Sequence, residues 1–157
     1  MNAGRILAIA FVAGAASLSA QTATQNVTFQ VDAINQISVA GSPSLVINTA
    51  TAGSNPTQAS AAATWAVTTN QSTAKITASI NSAMPAGLTL GVNMSAPAGG
   101  TSAGATTLST TAADVVTGIT KLAESGIAIG YTLDATPAAG VVASTSRTVT
   151  YTITGGV

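Results

Sequence analysis

The sequence contains no histidine and no cysteine, and charged residues make up only 5% of its 157 positions. Without histidine, the usual Ser-His-Asp and Cys-His catalytic arrangements and most zinc sites cannot be assembled. Without cysteine, an exported chain has no covalent staple and depends on packing and strand pairing. Aromatic residues are scarce too, at 3%. After the first turns of the chain they are Phe29, Trp65, Tyr131 and Tyr151, too few and too scattered for a carbohydrate-stacking platform. Four Lys and Arg balance four Asp and Glu, which leaves no basic footprint for nucleic acid.

What is present begins with an export signal. "MNAGR" carries Arg5, "ILAIAFVAGAA" is an apolar run, and "SLSA" ends in small residues. Together they predict a secretory signal over residues 1–20, with cleavage after Ser19 or Ala20. The run is short of the roughly 20 residues that a bilayer requires, so no membrane span is expected after processing. The mature remainder of about 137 residues suffices for one domain with a single core. Its charges are Lys75, Lys121 and Arg147 against Asp32, Asp114, Glu124 and Asp134, a net −1. An apolar content of 46% argues against disorder, and Thr, Ser, Asn and Gln supply the hydrophilic surface.

Period-two alternation dominates this mature region, as expected of half-buried strands. In "NVTFQVDA", Val27, Phe29, Val31 and Ala33 share one face, and after a phase break near Ile34 to Gln36 the alternation resumes at Ile37 and Val39. "SLVIN" at 44–48 is a short candidate strand. "ATWAVTTN" and "AKITASIN", joined by "NQST", predict a hairpin with Trp65 and Val67 facing inward on one arm and Ile76, Ala78 and Ile80 on the other. "LTLGVNM", "IAIGYTLDA" and "RTVTYTITG" each alternate cleanly. The stretch 111–124 is open between strand and helix. "TAAD" resembles a capping box and Val115, Ile119 and Leu122 have helical spacing, but the run from Val115 to Thr120 is poor in helix formers. Eight or nine short strands separated by turn signals predict an all-β, antiparallel sandwich.

Candidate chemistry is thin. A glycosidase needs two carboxylates facing across a cleft, whereas Asp32 and Asp134 fall on the outward phase of their strands. "GGTSAG" at 99–104 lacks the lysine and the strand-to-helix context of a phosphate loop. The triplets at Asn26, Asn70 and Asn93 match the N-glycosylation pattern, which a chain this rich in Asn, Ser and Thr produces by chance. We expect no enzyme, no catalytic residue, no metal and no cofactor.

The order of "NVTFQVDAINQISV", "TWAVTTNQSTAKITASI", "TTLSTTAADV" and a closing "RTVTYTIT" behind a signal peptide resembles the alpha-class fimbrial major subunits of chaperone–usher pili. In that family the subunit is an incomplete immunoglobulin-like sandwich whose groove receives the N-terminal extension of a neighbouring subunit. The resemblance implies a donor strand over residues 21–35, with Val27, Phe29, Val31 and Ala33 as its interface positions, and a sandwich domain over 36–157. It also implies copies of the chain as partners, with a periplasmic chaperone and an outer-membrane assembly protein. One departure is visible: many such pilins carry an aromatic residue next to last, where this chain has Gly156 and its nearest aromatic is Tyr151.

Physical chemistry points the same way. An edge strand with an apolar face templates another chain unless charge or proline blocks it, and this chain has almost no charge with which to do so. The expected function is a structural subunit of an extracellular filament, pilus or matrix built by β-strand addition. The alternative is a monomeric secreted adhesin or glycan-binding sandwich module at the cell surface.

Overall fold

The computed structural model describes residues 20–156, so the signal segment expected over 1–20 lies, apart from Ala20, outside the described residues. The chain divides into two units, Met1–Val31 and Asp32–Val157. Of the first, residues 20–31 are described; they form no helix or strand, and every one of them is exposed.

The second unit is all-β. Its strands are β1 (Asn35–Ala40), β2 (Ala59–Thr69), β3 (Ala74–Ile80), β4 (Leu88–Met94), β5 (Thr101–Ser102), β6 (Ala105–Thr107), β7 (Ala113–Ile119), β8 (Leu122–Ala135) and β9 (Val149–Thr154). They form two antiparallel sheets, ordered β1-β2-β8-β4-β6 and β5-β7-β3-β9. A single 3-10 turn, Pro137–Ala139, follows β8. Among the described residues no helix is long and apolar enough to cross a membrane.

Alternation places one face of each of the longer strands β2, β3, β4, β7 and β8 in a common core. Trp65 and Val67 of β2, Val92 and Met94 of β4, and Ile127 and Ile129 of β8 meet Ile76 and Ile80 of β3 and Val115, Val116 and Ile119 of β7 in one buried cluster. Burying each of these larger side chains contributes about 1.5–3 kcal/mol. Cohesion therefore rests on this cluster and the sheet ladders, in keeping with the absence of cysteine. Trp65 is 1% exposed and faces inward as its phase requires, although its indole Nε1 has no hydrogen-bond partner.

Two local expectations change and one open reading is decided. β2 and β3 do not form a hairpin: β2 already has β1 on one edge and β8 on the other, so the chain crosses at 70–73 into the opposite sheet, where β3 pairs with β7 and β9. The ambiguous stretch 111–124 is strand, belonging to β7 and the start of β8. Its helix-like spacing comes from a bulge. Ile76 pairs with Val116 and Thr77 with Asp114, which leaves Val115 as an extra residue and lets Val115 and Val116 both face the core. "SLVIN" at 44–48 joins no strand. Leu45 and Ile47 are half-buried there and Val46 is exposed, so the alternation is real although no ladder is formed.

A further bulge sits between β2 and β8, where Trp65 pairs with Ile127 and Val67 with Glu124. Gly126 supplies the positive φ of +71° that this irregularity uses. It resets the phase of β8 so that Ile127, Ile129 and Tyr131 all turn inward.

Candidate subunit interface

The two sheets are closed unequally. On one side the edges are β5, of two residues, and β6, of three. On the other they are β1 and β9, of six residues each. Among the described residues β9 has β3 on one side and no strand on the other, so its outer row of backbone groups is paired by none of the described strands. No charged residue lies within β9 to discourage pairing; its sequence is "VTYTIT".

β1 and β9 approach each other closely at one end and separate at the other. The close end is marked by Asn35 and Gly155, since a Cβ on Gly155 would collide with the side chains of Asn35 and Gln71. At the other end an open groove of about 970 Å³ is lined by Val39 of β1, Leu88 and Leu90 of β4, Tyr131 and Leu133 of β8, and Val149 and Tyr151 of β9. The stretch 43–50, with Leu45 and Ile47, also lines it; its last two residues pair back on the chain, through the Ala50–Pro56 bridge and the Thr57 N–H donating to the Thr49 carbonyl at 2.8 Å. The groove is thus lined by β9, by 44–48 and by the connection 136–147, which includes Arg147, and among the described residues no other strand pairs with β9 or 44–48 along it.

Within this mostly apolar lining, Tyr131 and Tyr151 bring their hydroxyls to 2.7 Å. Burial, and then the hydrogen bond with Tyr131, push the Tyr151 phenol well above its ordinary value of 10.0. Along β9, Val149, Tyr151 and Ile153 are half-buried, while Thr150, Thr152 and Thr154 are exposed, so the apolar row of the edge strand is incompletely covered.

The point from which the N-terminal residues depart is held by the end of β2. Asn70 Nδ2 donates to the Asp32 carbonyl at 2.7 Å, and Asn70 Oδ1 accepts from the Ile34 N–H at 2.8 Å. The Asn70 N–H donates to the Ile34 carbonyl at 3.2 Å, and Thr69 Oγ1 donates to Asn35 Oδ1 at 2.7 Å. The side-chain amide of Asn70 thereby extends the β1–β2 ladder by one step, and the regular strand begins at Asn35, within the break expected from the sequence.

Of the expected donor positions, Val27, Phe29 and Val31 are 76, 89 and 76% exposed, and Ala33 is exposed as well. The segment forms no strand in the single chain, because a strand needs a second set of backbone groups to pair with. Three of the four described carboxylates have separate partners: Asp114 with Lys75 at 3.0 Å, Glu124 with the Ala98 N–H at 2.8 Å, and Asp134 with Gln58 at 2.7 Å.

No family model matches this chain, and no curated protein or solved structure matches it either.

Sequence reasoning reached the exposed positions Val27, Phe29 and Val31 but not the groove. Its borders were read as two ordinary strands, and nothing in "SLVIN" or "TVTYTIT" says that neither acquires a partner along the groove. The clamp at Asn70 was visible only as a glycosylation-like triplet.

Proposed function

We propose that the chain is a structural subunit of an extracellular filament, pilus or matrix, an immunoglobulin-like sandwich that assembles by β-strand addition between copies. The N-terminal segment of one copy lies along the free edge of β9 in the next and fills the groove between β9 and 44–48. Main-chain hydrogen bonds supply affinity, and Val27, Phe29 and Val31 enter the groove from alternate positions. Chaperone and outer-membrane assembly partners belong to the same reading, as does export.

One observation carries it. Among the described residues the exposed large hydrophobic ones are Val27, Phe29, Val31, Ile34, Val39, Val46, Val141 and Val142. The first four belong to the N-terminal segment and its root. Val39, Val46 and Val142 line the groove, and Val141 adjoins it in sequence. The exposed large hydrophobic side chains described thus fall on a segment with alternating side chains and in or beside the groove, which is how a plug and its socket divide unburied area.

The geometry also favours a chain over a closed pair. The segment is rooted at Asn35, at the close end of β1 and β9, and the groove opens at the other end, near Val39 and Val149. A contact from one pole to the opposite pole of the next copy is heterologous and propagates.

The test is assembly of the purified mature chain, followed by negative-stain imaging and sedimentation. Fibres or ladders that vanish when residues 21–33 are deleted, and a truncated chain stabilised by a synthetic peptide of that segment, are the expected results. Continued polymerisation of the truncated chain would overturn the proposal, as would a full chain that stays monomeric at high concentration.

A further inference from the structure

Resting on that reading of the groove, we infer that the incoming segment is set in register by one aromatic pair, with Phe29 of one copy against Tyr151 of the next. The inward row of β9 is Val149, Tyr151 and Ile153, aromatic only at its centre. The apolar row of the N-terminal segment is Val27, Phe29 and Val31, again aromatic only at its centre. Both rows have the period of two that an extended strand imposes, so matching three positions to three places Phe29 beside Tyr151 whichever way the added strand runs. In the opposed direction Val27 falls beside Ile153 and Val31 beside Val149; in the same direction these two exchange.

The sites differ in what they offer a ring. Ile153 lies toward the close end of β1 and β9 and does not line the groove, whereas Tyr151 and Val149 do. Phe29, the largest exposed apolar side chain of the segment, therefore requires a position with open volume. At Tyr151 it meets an aromatic ring already oriented by the hydrogen bond to Tyr131. Aromatic neighbours across strands prefer offset or edge-on ring arrangements and favour one register over its neighbours by about two- to tenfold. A slip by two residues would set Val27 or Val31 against Tyr151 and move Phe29 either into the closed end or beyond Tyr151 toward the mouth.

The absence of cysteine makes the register directly readable, because introduced thiols are the only ones present. Full-length chains carrying Phe29→Cys are mixed with chains carrying Val149→Cys, Tyr151→Cys or Ile153→Cys and oxidised during assembly. Disulfide-linked dimers are expected with Tyr151→Cys and lost with the other two, since Cα atoms more than about 7 Å apart cannot be bridged. Because Tyr151→Cys removes the hydrogen bond to Tyr131, a second set uses exposed positions that leave the core intact. Thr28→Cys should link to Thr152→Cys if the added strand runs opposite to β9, or to Thr150→Cys if it runs alongside. Linking of Phe29→Cys mainly to Val149→Cys or Ile153→Cys overturns the register and leaves strand addition standing. Assembly with no linkage to β9 in either set overturns both.

Discussion

The hydroxyls of Tyr131 and Tyr151 are 2.7 Å apart although the two residues belong to different sheets, Tyr131 to β8 and Tyr151 to β9. This bond ties the sheets together beside the groove. Replacing Tyr151 with Phe deprives Tyr131 of its partner and is expected to lower stability by roughly 1–3 kcal/mol in urea melts at neutral pH. The alkaline limb should change as well. Burial first, and then Tyr131, hold the Tyr151 phenol protonated above its ordinary value of 10.0. The unfolded chain releases that proton near pH 10 while the folded chain keeps it, so the contribution is complete below about pH 10 and is lost as pH rises beyond it. The stability gap between wild type and Tyr151→Phe should accordingly narrow above pH 10. A gap constant to pH 11 would mean that the phenol is not held in the way described.

Phe29→Asp separates folding from assembly. The side chain is 89% exposed in the single chain, so the thermal melt of the monomer should be unchanged within error. Fibres should disappear, because the substitution would bury an unpaired charge in the acceptor groove. Sedimentation of the variant beside wild type measures the second effect; a variant that assembles normally would remove Phe29 from the interface.

Asn70→Ala removes the amide that bridges Asp32 and Ile34. Each bond is solvent-accessible, and the total loss of stability is expected to be roughly 1 kcal/mol. The more telling measurement is hydrogen exchange at Ile34, whose N–H is bonded to Asn70 Oδ1 and should exchange faster in the variant.

Core and edge positions should respond differently to truncation. Ile76 is 0% exposed, and Ile76→Ala should cost about 2–5 kcal/mol. Ile153→Ala should cost less in the single chain, because part of that side chain is already in water, and more in the assembled state if strand addition covers it. Thr152→Ala, on the exposed phase of β9, should stay within about 0.5 kcal/mol in urea melts. Equal damage from Thr152→Ala and Ile153→Ala would reverse the phase assigned to β9.

Strand phase was legible from sequence wherever the alternation was uninterrupted. Leu90, Val92 and Met94, and likewise Ile127, Ile129 and Tyr131, turn inward as their spacing requires. Partner choice was not legible. A four-residue link such as "NQST" serves a hairpin or a crossing between sheets equally well, and the decision lies with β1 and β8, which occupy both edges of β2. Bulges hid a strand in the same way, since consecutive inward residues at Val115 and Val116 imitate a helical face. The exposed apolar row Val27, Phe29 and Val31 was legible because its side chains alternate on a single short segment. The groove was not, because Val39, Leu45, Leu90, Leu133 and Tyr151 converge only after the chain has folded.

The two- and three-residue strands β5 and β6 bear on how material accumulates. Edges so short offer too few consecutive backbone groups to seat an incoming strand, which leaves β1 and β9, the two six-residue edges that flank the groove, as the edges open to strand addition. A copy that takes one segment into the groove between them and donates its own would lengthen a chain without branching it. Growth by strand addition would therefore yield threads whose mass increases linearly with time at fixed end number, and no cross-linked gel, unless lateral contacts of a different kind intervene.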